Sequence, residues 1–324
     1  MISRDTLEKS RIALAVLGGC VFLFFIGYSL INLVLRFMHQ SDEDVSQEPV
    51  STLQVDFDTQ AEREQEVQVQ AQLQGPTTGA FLEDFSTVKT VEESSTVESS
   101  TDDEWWVNSG AYFYQTGEIG RTVHGDLPQG SKWFEQYKRT SSDPSESGLH
   151  PQNIFRLLHQ SLRTNLEQQV LFRVDANHFS ASTERGESNG LLLFSRYVDE
   201  DNLYYAGVRV DGNIIVKKKL NGTYHTLLEE QYFNRTDTYD RESFPTLLPQ
   251  NQFIGVRTRV QDVAGGVEIT VFLDENNTGS WIQVGQVIDD GRSFGGAAIT
   301  APGHPGIRTD FMDVSFDDYS VKGS

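Results

Sequence analysis

The sequence predicts an all-β fold, a two-sheet antiparallel β-sandwich, preceded by one N-terminal transmembrane helix and a flexible linker. Three observations predict it. First, Leu191 to Tyr224 holds three short apolar runs separated by Asp199–Asn202, Asp211-Gly212-Asn213 and Asn221-Gly222. Runs this short, rich in β-branched and aromatic residues, read as antiparallel strands joined by tight turns. Second, similar runs recur along the rest of the chain at intervals of about ten residues, and no long segment there keeps a helical period. Third, Ile12 to Leu35 contains no Asp, Glu, Lys, Arg or His.

In chain order, residues 1–11 form a short N-terminus on the cytoplasmic side, and 12–35 the membrane span. At about 1.5 Å per residue the span would be roughly 36 Å long, enough to cross a hydrocarbon core of about 30 Å with some tilt. Arg4, Lys9 and Arg11 precede it, and the acidic Ser41-Asp42-Glu43-Asp44 follows. This bracket places the N-terminus inside and the C-terminal part outside, a signal-anchor arrangement. A cleaved signal peptide would have a shorter apolar core and a small-residue cleavage site. Leu17-Gly18-Gly19-Cys20 resembles a lipoprotein box, but the apolar run continues past Cys20 through Val21 to Phe25. Residues 36–79 carry many Asp, Glu and Gln and end at Gly75-Pro76-Thr77-Thr78-Gly79, which reads as an extended acidic spacer.

Residues 80–324 form the folded domain. Phe81–Phe85 is its first candidate strand, and Thr87–Asp103, rich in Ser, Thr and Glu, reads as a surface loop. Trp105–Val107 then leads to a strand at Ala111–Tyr114. Further candidates are 120–124, 132–139, 153–158 and 168–179. Beyond the central stretch come 252–260, 266–273, 280–287 and 314–322.

The 324 residues carry a net charge of −21. Nucleic-acid backbones require clustered positive charge, so no nucleic-acid partner is expected. The single cysteine, Cys20, leaves the folded part without an intramolecular disulfide. The seven histidines show no metal-type spacing, and no phosphate loop, dinucleotide fingerprint or Gly-x-Ser-x-Gly elbow is present. Asn221-Gly222-Thr223, Asn234-Arg235-Thr236 and Asn276-Asn277-Thr278 match the N-glycosylation acceptor pattern.

Several segments together resemble one superfamily. Glu83-Asp84-Phe85-Ser86 opens the domain, and Asn189 to Tyr197 resembles a laminin-G-like strand ending in Arg-Tyr. Asp211-Gly212, Lys217-Lys218 and Asn221 to Tyr224 resemble its next hairpin. Gly303 to Thr309 with Val314 to Val321 resembles the closing strands. The chain from about Ala80 to Ser324 is thus similar to the concanavalin A-like lectin/glucanase superfamily, a two-sheet jelly roll. The resemblance implies an extracytoplasmic domain that binds carbohydrate or another cell-surface ligand. It leaves open a polysaccharide lyase or glycoside hydrolase with an atypical site, and a structural envelope or adhesion protein. The glucanases of the superfamily carry a Glu-x-Asp-x-Glu strand, which the nearest segment here, Glu268 to Asp274, lacks. Arg257-Thr258-Arg259 resembles the Arg-rich strand of the lyases, without their Gln-x-His strand.

The hairpin supplies the candidate ligand residues. If Asp211-Gly212-Asn213 is a three-residue loop with Asn213 left-handed, Val208 and Val210 share one face with Ile214 and Val216. Tyr205 and Arg209 then share the other face with Ile215, Lys217 and Lys219, and Arg196 lies on the neighbouring strand. Aromatics stack on sugar rings, and cations grip hydroxyls or carboxylates. A two-residue loop would mix the faces. The resemblance also implies a structural calcium bridging first and last strands, for which Asp84, Asp317 and Asp318 are the candidate ligands.

Overall fold

The structure, a computed structural model, describes residues 79–140, 149–233 and 236–324. The expected span at 12–35 and spacer at 36–79 lie outside these residues, apart from Gly79. Among the described residues no helix is long and apolar enough to cross a membrane.

The described part is a two-sheet antiparallel β-sandwich. Its strands are β1 (Phe81–Glu83), β2 (Val88–Glu92), β3 (Trp105–Ser109), β4 (Tyr112–Thr116), β5 (Gly120–Arg121), β6 (Phe155–His159), β7 (Leu166–Asn177) and β8 (Gly190–Asp199). They continue with β9 (Asn202–Arg209), β10 (Asn213–Leu220), β11 (Thr223–Gln231), β12 (Ile254–Val263), β13 (Gly266–Asp274), β14 (Ile282–Asp289), β15 (His304–Thr309) and β16 (Met312–Gly323). The nine-stranded sheet runs β14-β13-β12-β7-β16-β5-β4-β2, with β1 on the far part of β16. The seven-stranded sheet runs β11-β10-β9-β8-β15-β6-β3.

Between the sheets lies the main core, including Phe85, Trp105, Phe113, Phe155, Phe172 and Phe316. Strand β16 shows how sequence alternation and geometry are reconciled. Met312, Val314 and Phe316 point inward, but strict alternation would next turn Asp318 and Ser320 into the core. A bulge between Asp317 and Ser320, with Asp318 at φ 48°, flips the parity, so Tyr319 and Val321 face inward instead.

Two segments depart from the sequence reading. Residues 132–139 form a helix, α1 (Lys132–Thr140), not a strand. Ser131 accepts the Phe134 N–H at 3.1 Å and caps its start. Trp133, Phe134 and Tyr137 fall on neighbouring turns, and Phe134 packs with Ala111, Val123 and Leu127. The three aromatics raise strand propensity, but tertiary packing and the cap outweigh it. The supposed loop 87–103 contains β2, because Val91 alternates into the core while its neighbours stay at the surface.

The hairpin β9–β10 pairs Ile214 with Val208 and Lys217 with Tyr205. Its loop has three residues, but they are Val210-Asp211-Gly212, and Gly212 takes the left-handed conformation at φ 82° rather than Asn213. Asp211 Oδ1 accepts the Asn213 N–H at 3.1 Å and closes the turn. The one-residue displacement of the loop leaves the parity of both strands as read from the sequence.

Candidate functional site

The outer face of the seven-stranded sheet gathers cations and aromatics in three rows. One row crosses six strands as Arg156, Arg308, Leu192, Gly207, Ile215 and Glu229. The next runs Trp106, Leu158, Gly306, Phe194, Tyr205, Lys217 and Thr226. The third contains Leu203, Lys219 and Tyr224. Alternation puts these side chains opposite the main core. The apolar members form a second cluster, with Trp106, Phe194, Tyr197, Tyr205 and Ile215 buried.

Tyr205, Arg209, Lys217 and Lys219 thus share one face, as the hairpin alternation predicts, but their environments differ. Tyr205 is buried, with the Arg308 guanidinium 5.1 Å from its ring and Tyr224 meeting it edge-on at 6.0 Å. Burial, above all, raises its hydroxyl pKa. It is a floor residue, not an open stacking platform. Arg209 is buried and saturated: it donates to Glu187 O at 2.9 Å, to Asp211 Oδ2 at 2.5 Å, and pairs with Glu229 at 3.0 Å. Lys219 donates to Glu200 O at 2.8 Å, pairs with Asp201 at 3.1 Å, and sits over the Tyr224 ring at 5.2 Å.

Lys217 is half-buried and has no hydrogen bond or ion pair among the described residues. Burial lowers its pKa, and the charges of Arg209 and Arg308 lower it further against the opposing carboxylates of Glu229 and Asp211.

Arg196 lies elsewhere. It occupies the bulge of β8 at φ 50°, fully buried. Its guanidinium donates to Thr164 O at 2.8 Å, Ile299 O at 2.7 Å and Asp262 Oδ1 at 2.9 Å. The bulge reverses the side-chain direction, so Arg196 ties loops together away from the outer face.

Tyr224, Arg308, its partner Asp310 and Arg156 were missed by sequence reasoning. Tyr224 keeps 47% of its surface exposed, the most open aromatic of the group. Arg308 stands directly across from Arg156. Asp310 Oδ1 accepts from Arg308 Nε at 2.9 Å. Burial disfavours the Arg308 charge, yet Asp310, Tyr205 and Tyr224 outweigh it and raise the pKa. Arg156 forms no ion pair among the described residues, although Asp310 feels its charge, and its Nε is buried without a hydrogen-bond partner. Only the pairing of β6 with β15, distant in sequence, makes Arg156 and Arg308 neighbours, so no local signal could have found them.

The candidate calcium ligands lie near one another, since Asp318 and Asp84 both raise the Asp317 pKa after burial itself. Their oxygens serve the backbone, however: Asp84 Oδ1 accepts the Ser86 N–H at 3.0 Å and Asp317 Oδ1 the Asp318 N–H at 2.9 Å. Among the described residues no group of three or more His, Cys, Asp and Glu side chains is arranged to hold a metal ion.

No family model matches the sequence, and no curated protein matches it. Solved structures similar to the chain include a carbohydrate binding module from Bacillus subtilis, at 14% identity, covering 68% of this chain and 96% of that one, with a TM-score of 0.39. The acidic lectin of winged bean, complexed with methyl-α-D-galactose, is 10% identical over 76% of this chain and 98% of its own, TM-score 0.44. Lectin II from Ulex europaeus is 9% identical over 76% and 99%, TM-score 0.43. All three scores lie below 0.5, and the two-sheet fold rests on the strand pairing itself.

Proposed function

We propose that the chain is a membrane-anchored, extracytoplasmic lectin-like module, on a concanavalin A-like jelly roll, that binds acidic carbohydrate on the outer face of its seven-stranded sheet. One observation carries this reading. The exposed Tyr224 ring stands on the same face as Lys217 and Arg156, two cations that form no ion pair among the described residues, in a chain of net charge −21. Half-buried charge without a partner is costly, and an anionic ligand would relieve it. An aromatic face beside cations suits a sugar ring bearing carboxylate or sulfate. The anchor at 12–35 and the acidic spacer at 36–79 would hold the module outside the membrane.

A glycan array with the full chain tests the binding. Acidic glycans should be retained over their neutral counterparts. Tyr224→Ala and Lys217→Gln should each weaken them about fivefold or more, equivalent to roughly 1 kcal/mol. Absence of acidic-glycan binding, or binding unchanged in both folded variants, removes the reading. Protease added to intact cells should release a fragment of the size of 80–324, and its full protection would overturn the orientation.

A further inference from the structure

The outer face of the nine-stranded sheet, on the other side of the sandwich, carries a separate feature. There a cavity of about 270 Å³ is lined by residues of β1, β7, β12 and β16. Strand pairing explains its floor: Arg257, Gln169, Ser320 and Leu82 form one row across four strands. Glu167 and Lys322, paired at 3.1 Å, lie in the next row.

Arg257 is fixed from two sides. Its Nε and Nη2 both donate to Gln169 Oε1, at 3.0 and 2.6 Å. Its guanidinium lies 4.1 Å from the centre of the Trp281 ring. Trp281 can lie there because residue 255 is glycine: a Cβ on Gly255 would come within 2.6 Å of the indole. The acceptor that orients Arg257 is a neutral amide, and among the described residues no carboxylate is ion-paired with Arg257. A guanidinium normally recognises a carboxylate through paired N–H donors. Here its orientation is set while Nη1 makes no hydrogen bond among the described residues. With Arg257, Lys322 and Glu167 the lining keeps a net of one positive charge, Glu167 pairing with Lys322 while its charge also favours that of Arg257. Ala80 and Leu82 supply apolar wall.

We propose that this cavity binds a compact carboxylate ligand with an apolar body, the carboxylate on Arg257 and the body against Leu82. A cavity of about 270 Å³ has room for a single ring. The site is independent of the carbohydrate face.

Calorimetric titration of the full chain in mild detergent tests this, with benzoate as probe and benzamide and acetate as controls. Benzoate should bind with Kd on the order of 1–10 mM, the range for a ligand this small. Benzamide, lacking the charge, and acetate, lacking the body, should bind at least tenfold more weakly. Arg257→Lys, which keeps the charge but not the fork, should lose benzoate tenfold or more. Leu82→Trp should do the same by filling the cavity; residue 82 is 78% exposed, so this variant tests the site even if Arg257→Lys misfolds. Lys217→Gln should leave benzoate binding intact. No benzoate binding, equal binding of benzamide, undiminished binding in Leu82→Trp, or loss in Lys217→Gln would each overturn the proposal.

Discussion

Lys218→Met isolates the most deeply buried ion pair of the fold. Lys218 Nζ lies 2.8 Å from Asp289 Oδ2, and both side chains are fully buried. The ammonium also donates to Gly296 O at 2.9 Å and Ala297 O at 3.1 Å, so three acceptors match its three protons. Tyr204 donates to the same carboxylate oxygen at 2.7 Å, and its hydroxyl accepts the Ile299 N–H at 2.9 Å. One cation therefore joins β10, the end of β14 and the segment 296–299. Methionine fills much the same volume but leaves Asp289 with two hydrogen-bond donors, Tyr204 and the Gly291 N–H, and no counter-charge. Removing one member of a buried pair costs about 3–5 kcal/mol. For a domain of this size each kcal/mol shifts Tm by roughly 2–4 °C, so Tm should fall by about 6–20 °C. Thermal unfolding of the full chain in mild detergent, read by near-ultraviolet circular dichroism, measures it. The double variant Lys218→Met/Asp289→Leu removes both charges and should recover part of the loss. A single-variant cost below about 1 kcal/mol, or a double-variant cost equal to the sum of both singles, would refute the assignment.

The histidine buried among aromatics predicts a pH dependence. His159 lies 4.2 Å from Phe81 at a tilt and edge-on to Trp105, and burial, followed by the Arg163 charge, lowers its pKa to about 3. The unfolded chain binds this proton near 6.5 and the folded chain does not, so stability should be full above about pH 6.5 and fall as pH drops toward 3. Denaturant titrations at several pH values should show this slope, and His159→Phe should flatten it; an unchanged slope would sink the attribution. If Asp84, Asp317 and Asp318 nonetheless hold calcium, a chelator should lower Tm, by an amount corresponding to roughly 2.7 kcal/mol at 100 times the dissociation constant. An identical melting curve with chelator and no calcium by elemental analysis would dismiss the ion.

Alternation made the β10 face legible. Ile214 and Val216 read as core, and Lys217 and Lys219 as surface, because period two fixes side-chain direction once parity is set. The identity of the left-handed residue, Gly212 rather than Asn213, did not matter to that parity. Lys218 shows the limit of the same rule. It alternates inward, where sequence offers no reason to place a lysine, and its partner Asp289 comes from a strand in the other sheet. A buried charge is tolerable only when a distant segment supplies the counter-ion, and that segment is invisible in a local window.

Bulges hide information in a second way. Arg196 ends a uniformly apolar run whose side chains alternate between the two clusters, Leu191 and Leu193 to one and Leu192 and Phe194 to the other, and a strict period would keep the next side chains on predictable faces. The left-handed backbone at Arg196 breaks that period and sends a fully buried guanidinium to Thr164, Ile299 and Asp262. The same break in β16 turns Asp317 and Asp318 outward together while Tyr319 returns to the core. Both candidate groups that placed weight on residues at such breaks, the cation row through Arg196 and the acidic trio, were the ones whose geometry alternation could not supply. Arg257, by contrast, lies in an unbroken stretch of β12, and its outward direction follows from Val256 and Val260 facing the core. What sequence could not provide there was Trp281, which comes from a distant segment to lie on Arg257 over Gly255 of the same strand. Direction along a regular strand is local and readable; the company a side chain keeps is set by strands that meet only in the folded sheet.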